Sequence, residues 1–119
     1  MTSEDIPPWL DASKRFFEDL DRAAESFLTL VGAENRTAFA YGVTQLLAVL
    51  LRGEELPPVP DADAQRHFAA GLARYKVAAE TLARTDDQVE VNHAIRAIHA
   101  SNADFARMYE ALERRVQED

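Results

Sequence analysis

Apolar residues recur along this chain at the three- and four-residue steps of an amphipathic helix. Leu10, Phe17, Ala24 and Val31 stand seven apart, with Leu20 and Phe27 forming a second row beside them. Asp11, Lys14, Arg15, Glu18, Asp21, Arg22 and Glu25 fall mostly off that face. Pro7 and Pro8 suit a first turn, whose N–H groups have no helical partner, and Gly32 suits a stop. The pattern predicts a helix over 8–31 after an N-terminal arm over 1–7.

A second helix is predicted over 35–52, capped by Asn35 and ended by Gly53. Its mildly polar stripe is narrow: Thr37, Tyr41, Thr44, Ala48 and Arg52. Phe39, Val43, Leu46, Leu47, Val49, Leu50 and Leu51 cover well over half the remaining circumference. One side of a monomeric bundle needs an apolar stripe of only about 100°. Burying a Leu is worth roughly 1.5–3 kcal/mol, so surplus leucines call for a cover. The expected cover is a second copy of the chain, with Phe39, Val43, Leu46, Leu47 and Leu50 at the interface. The competing expectation is that the proline-rich linker over 53–61 folds back over the same surface.

A third helix is predicted over 62–84, capped by Asp61 or Asp63, with Phe68, Leu72, Tyr75, Ala79 and Leu82 facing inward. Thr85-Asp86-Asp87-Gln88 has the spacing of a capping box and opens a fourth helix over 86–116. Val91, Ile98, Phe105 and Leu112 form one row of that helix, and Ile95, Asn102, Tyr109 and Val116 the other; 117–119 should fray. At ~1.5 Å per residue the fourth helix reaches roughly 45 Å against roughly 27 Å for the second, so one end should project or meet a partner. No segment alternates as a strand and no long repeat is evident. The expected fold is all-α: a single domain forming an antiparallel four-helix bundle.

Composition narrows the chemistry. The chain has 119 residues, a formal net charge of -8 and no cysteine. The size suits one core. The lack of cysteine removes disulfides, thiol catalysis and thiolate metal sites. The acidic balance argues against binding nucleic acid, and the six phenylalanines follow core spacing rather than a stacking surface. The uncharged stretch Thr37–Leu51 spans roughly 22 Å, short of a ~30 Å hydrocarbon layer, so no membrane partner is expected. Met1–Asp5 carries two acids and no base, unlike a secretory signal, and a cytoplasmic location is expected.

Catalytic constellations are thin. Glu90-Val91-Asn92-His93 has the Glu-x-x-His spacing of di-iron bundles, but such sites need the motif twice plus further glutamates, and Thr37–Leu51 has no carboxylate. His67, His93 and His99 are too far apart along an antiparallel pair to share a metal, so no metal or cofactor is expected. Ser101 lies near His99 and Asp104 in sequence, but these spacings point in different directions on a helix. No glycine-rich phosphate loop occurs. A non-catalytic interaction protein that homodimerises is therefore the first expectation. The second is a small-molecule binder or enzyme with a pocket between the helices, around Tyr41, Gln45, Tyr75 and Asn102. Asn102, on the inward row, is an amide that needs partners for its donor and its acceptor: a side chain such as Tyr41, Gln45 or Tyr75, which would make it a buried register-setting amide, or a ligand in the core. The third is an acidic inhibitor or immunity-type protein covering a basic partner.

Overall fold

A computed structural model of the chain describes residues 3–30 and 36–118. After a 3-10 turn at Ser3–Asp5 come four helices: α1 (Ile6–Leu30), α2 (Arg36–Glu54), α3 (Ala62–Arg84) and α4 (Gln88–Glu118). No strand occurs among the described residues, and the helices form a compact bundle. No described helix is long and apolar enough to cross a membrane. Val31, Gly32 and Asn35, expected to end α1 and cap α2, lie outside the described residues.

The helix boundaries follow local chemistry. α1 begins at Ile6, two residues earlier than expected, so part of the predicted arm is helical. Pro7 and Pro8 sit in its first turn and forfeit no hydrogen bond there. The Asp61 carboxylate caps α3 by accepting from the Ala64 N–H at 2.9 Å. α3 occupies its predicted span. α4 is capped by Asp87 rather than by Thr85: the Asp87 carboxylate accepts from the Val89 N–H at 2.8 Å, and its carbonyl accepts from the Val91 N–H at 2.9 Å. Thr85 serves one step earlier, accepting from the Asp87 N–H at 3.1 Å and donating its hydroxyl to Glu90. α2 runs through Gly53 to Glu54. That glycine is a packing requirement rather than a stop. A Cβ there would lie 2.7 Å from the Phe16 ring, so only a bare backbone lets α2 close on α1.

α2 spends most of its apolar surface inside its own chain. Val43, Leu46 and Leu50 are buried, Phe39 and Leu47 are half-buried, and Leu51 is exposed. The surplus expected of this helix is thus largely taken up by α1 and α3. The linker also folds inward, at the end of the bundle. Val59 is buried, its N–H donates to the Gln65 side chain at 2.8 Å, and Trp9 Nε1 donates to the Pro57 carbonyl at 2.8 Å.

The buried faces of α1 and α4 are rolled by about one residue from the predicted rows. α1 buries Ile6, Trp9, Ser13, Phe16, Leu20 and Phe27, leaving Phe17 and Ala24 half-buried and Leu10 exposed. α4 buries Val91, Ile98, Phe105 and Leu112 as expected. Its second inner row is Ala94, Ser101 and Met108, not Ile95, Asn102 and Tyr109. The cause is the α3–α4 contact, which is built from small residues. Ala64, Ala78 and Ala79 on α3 and Ala94, Ser101 and Ala111 on α4 are all buried. At Gly71 the two helices approach so closely that a Cβ would lie 2.9 Å from the Phe105 ring and 3.0 Å from the Asp104 Cβ. The Asp104 carboxylate is buried at the same level and joins Arg74 at 2.8 Å and Arg107 at 3.3 Å.

Gly71→Ala tests that contact. Alanine gains ~1 kcal/mol of helix propensity over glycine, whereas overpacking a core costs typically ~1–3 kcal/mol. With Asp104 Cβ unable to turn away, overpacking should win by about 1 kcal/mol in urea unfolding. A variant as stable as the parent would contradict the close approach.

Candidate functional site

The four residues expected to share a pocket fall in two separate clefts. Tyr41 and Gln45 are exposed and border a shallow groove between α1 and α2, with Asp19, Arg22 and Arg52. Tyr75 is buried on α3 and reaches a different groove, between α1 and α4, whose edge carries Asn102. Asn102 is exposed there and is no buried register amide. Its inner place is taken by Ser101, whose hydroxyl donates to the Ala97 carbonyl at 3.0 Å. Ser101 is fully buried.

The α1–α4 groove is the open seam of the bundle. Backbones pack closely between α1 and α2, α2 and α3, and α3 and α4. Between α1 and α4 aromatic rings bridge a wider gap. The Phe17 centroid lies 5.4 Å from that of Phe105 and 5.8 Å from that of Tyr109. Beyond these rings the seam opens into a cleft of about 380 Å³, lined by Asp21, Ala24, Glu25, Leu28 and Thr29 of α1, Tyr75 of α3 and Asn102 of α4.

The two rows at the edge of the core face each other across this seam. Leu10, Phe17, Ala24 and Leu28 fall on one side of α1, and Ile95, Asn102, Tyr109 and Val116 on one side of α4. Four large apolar side chains stay substantially exposed there: Leu10 (37%), Leu28 (39%), Tyr109 (42%) and Val116 (52%). The remaining exposed large apolar residues are dispersed: Tyr41 and Leu51 on α2, Val77 on α3 and Val89 at the start of α4.

The electrostatics of the seam differ from those of the other faces. Asp19 joins Arg52 at 3.0 Å, Lys76 joins Glu54 at 2.9 Å, and Arg36 joins Asp86 at 3.3 Å. Along the seam Glu18, Asp21, Glu25, Glu110 and Glu113 are exposed, and none pairs with another described residue's cation. Lys14, His99 and, one turn after Glu110, Arg114 are the basic side chains near the same edges. Burial pushes the Tyr75 hydroxyl well above the ordinary tyrosine range, and the Asp21 charge adds to the shift. The same two causes, in the same order, raise Tyr109.

No group of three or more His, Asp or Glu able to hold a metal occurs among the described residues. Glu90 accepts the Thr85 hydroxyl, and His93 borders an outer groove of α3 and α4. Comparison with protein-family models, with curated proteins and with solved structures finds no match to this chain.

Tyr75 gives the fold a pH dependence of known sign. Below its unfolded value of 10.0 the residue is neutral in both states and stability is unaffected by it. Above that value the unfolded chain ionises while the folded chain holds the proton, so stability falls as pH rises. Tyrosinate absorbance of the folded chain should show Tyr75 resisting ionisation until unfolding begins, and Tyr75→Phe should remove that resistant component. Complete ionisation of the native chain just above pH 10.0 would contradict the burial of Tyr75.

Proposed function

We propose that this protein is a non-catalytic interaction module and that the α1–α4 seam is the surface on which its partner docks. One observation carries the reading: among the described residues, four of the eight large apolar side chains left exposed lie on the sides of α1 and α4 that meet where these two helices stand apart. Monomeric surfaces seldom keep contiguous apolar strips without a use for them. From Leu10 to Leu28 the strip runs roughly 27 Å at ~1.5 Å per residue, the length of a helix of about five turns. Helix-in-groove docking reads such a strip through anchors spaced at i, i+3, i+4 and i+7.

The other readings have less support. A twofold axis on α2 would have chiefly Tyr41, Leu47 and Leu51 left to bury, because Val43, Leu46 and Leu50 already lie in the core. An enzyme needs convergent groups, and Tyr41 and Gln45 lie in a different groove from Tyr75 and Asn102.

Site-specific photo-crosslinking in the producing cell tests the proposal. Probes in place of Leu28 and Tyr109 should each yield the same discrete protein adduct, and a probe at Val77, exposed on α3, should not. No adduct from either seam position, or the same adduct from Val77, would contradict it.

A further inference from the structure

Resting on the seam as the docking surface, we infer that its occupant is a cationic amphipathic helix from a different protein rather than a second copy of this chain. The apolar strip and the charges beside it point to the same occupant. Along α1, Asp21 lies one turn after Phe17 and one turn before Glu25, and both carboxylates border the cleft floored by Ala24, Leu28 and Tyr75. Glu18 stands further out on the same edge. Along α4, Glu110 and Glu113 flank the exposed face of Tyr109. These five acids outnumber the basic residues near the same edges, Lys14, His99 and Arg114.

What sets the seam apart is that several unpaired acids flank one apolar strip; Glu55 and Glu80 are also unpaired among the described residues but stand off it. Elsewhere Asp19, Glu54, Asp63, Asp86 and Asp104 each hold an arginine or lysine within 4 Å. The seam carboxylates have no such partner among the described residues. A second copy laid into the seam about a twofold axis would place these acids against their own copies, and like charges across an interface oppose association. A helix with a leucine-type stripe flanked by lysines or arginines would bury Leu10, Leu28, Tyr109 and Val116 and set its cations against the two acidic edges. Asp21 borders the cleft and is close enough to Tyr75 and Tyr109 for its charge to raise the pKa of both. It is the residue best placed to take a cation at the centre of the groove.

Synthetic peptides test this directly. A Leu/Lys amphipathic helix of about 18 residues matches the strip in length. It is compared with a Leu/Glu peptide of the same apolar pattern and with a Leu/Lys peptide scrambled to destroy the stripe. Binding is followed by fluorescence anisotropy and by chemical-shift mapping on the full chain. The Leu/Lys helix should bind and move the signals of Leu28 and Tyr109. Its affinity should fall by roughly tenfold or more as salt rises to ~0.5 M, where the Debye length has shrunk to a few ångströms. Asp21→Asn combined with Glu25→Gln should weaken it by about tenfold, roughly what losing a close charge pair costs at an interface. Leu28→Ala should weaken it independently of salt. The Leu/Glu and scrambled peptides should not bind.

Three results overturn the inference. Equal binding of the Leu/Lys and Leu/Glu helices at the seam removes the charge argument and leaves the seam as a docking surface. Equal binding of the scrambled peptide reduces the effect to bulk charge. A Leu/Lys helix that binds without moving Leu28 or Tyr109 places the cationic site elsewhere. Sedimentation of the chain alone supplies a further check. A dimer broken by Leu28→Glu or Tyr109→Glu puts a second copy in the seam and also overturns it. Failure of the seam reading itself is recognised separately, by the absence of crosslinks from Leu28 and Tyr109 in the cell.

Discussion

The close contact of α3 with α4 is the constraint from which the rest of the bundle follows. Gly71 leaves no room for a side chain between its backbone and the Asp104–Phe105 turn, and alanines and a serine continue the contact on both helices. Small residues let helix axes approach, while dispersion gains depend on that proximity. Drawn onto α3, α4 turns Ala94, Ser101 and Met108 inward and swings Ile95, Asn102, Tyr109 and Val116 toward its other neighbour. That neighbour is α1, which is held by α2 through the Gly53–Phe16 contact and by the linker through the Trp9 indole. The core aromatics Phe17, Phe68 and Phe105 fill the space that remains at mid-height, and they do not close it along its length.

An incompletely closed bundle exposes apolar surface, and the distribution of charge decides what that surface attracts. On the other faces Asp19, Asp63, Asp86 and the buried Asp104 are paired with arginines, and Glu54 with a lysine. Exposed pairs of this kind add little stability individually. Their effect here is on the potential: they offset part of the acid on those faces, whereas the seam acids stand without an ion pair among the described residues. An apolar strip between acidic edges has the complement of a basic amphipathic helix.

The architecture was largely legible in the sequence. The span 62–84 needed only Asp61 as a cap and the Phe68-to-Leu82 spacing, and α3 occupies it. Two features were hidden by residue size. The rows Leu10/Phe17/Ala24 and Ile95/Asn102/Tyr109 were read as core because they hold large side chains at heptad spacing. The inner positions of α4 include Ala94 and Ser101, which register weakly on any hydrophobic count. A glycine or alanine at a close approach looks like a stop or a neutral surface residue until its neighbour is known, as Gly53 and Gly71 both illustrate. The burial of Asp104 was not legible, since the arginine that makes it tolerable lies thirty residues away on α3. The candidate site was therefore half-legible. Tyr75 and Asn102 do share a groove, but Tyr41 and Gln45 were grouped with them by polarity alone.

The central claim is that the seam between α1 and α4 is open to solvent in the free chain. Relaxation of side-chain NMR signals by a soluble paramagnetic agent measures this residue by residue. The account predicts strong relaxation at Leu10, Leu28, Tyr109 and Val116, with Leu46, Leu50 and Met108 protected in the core. Protection of the four seam residues to the level of Leu46 would mean that the groove is already closed, by the chain itself or by a second copy, and would contradict it.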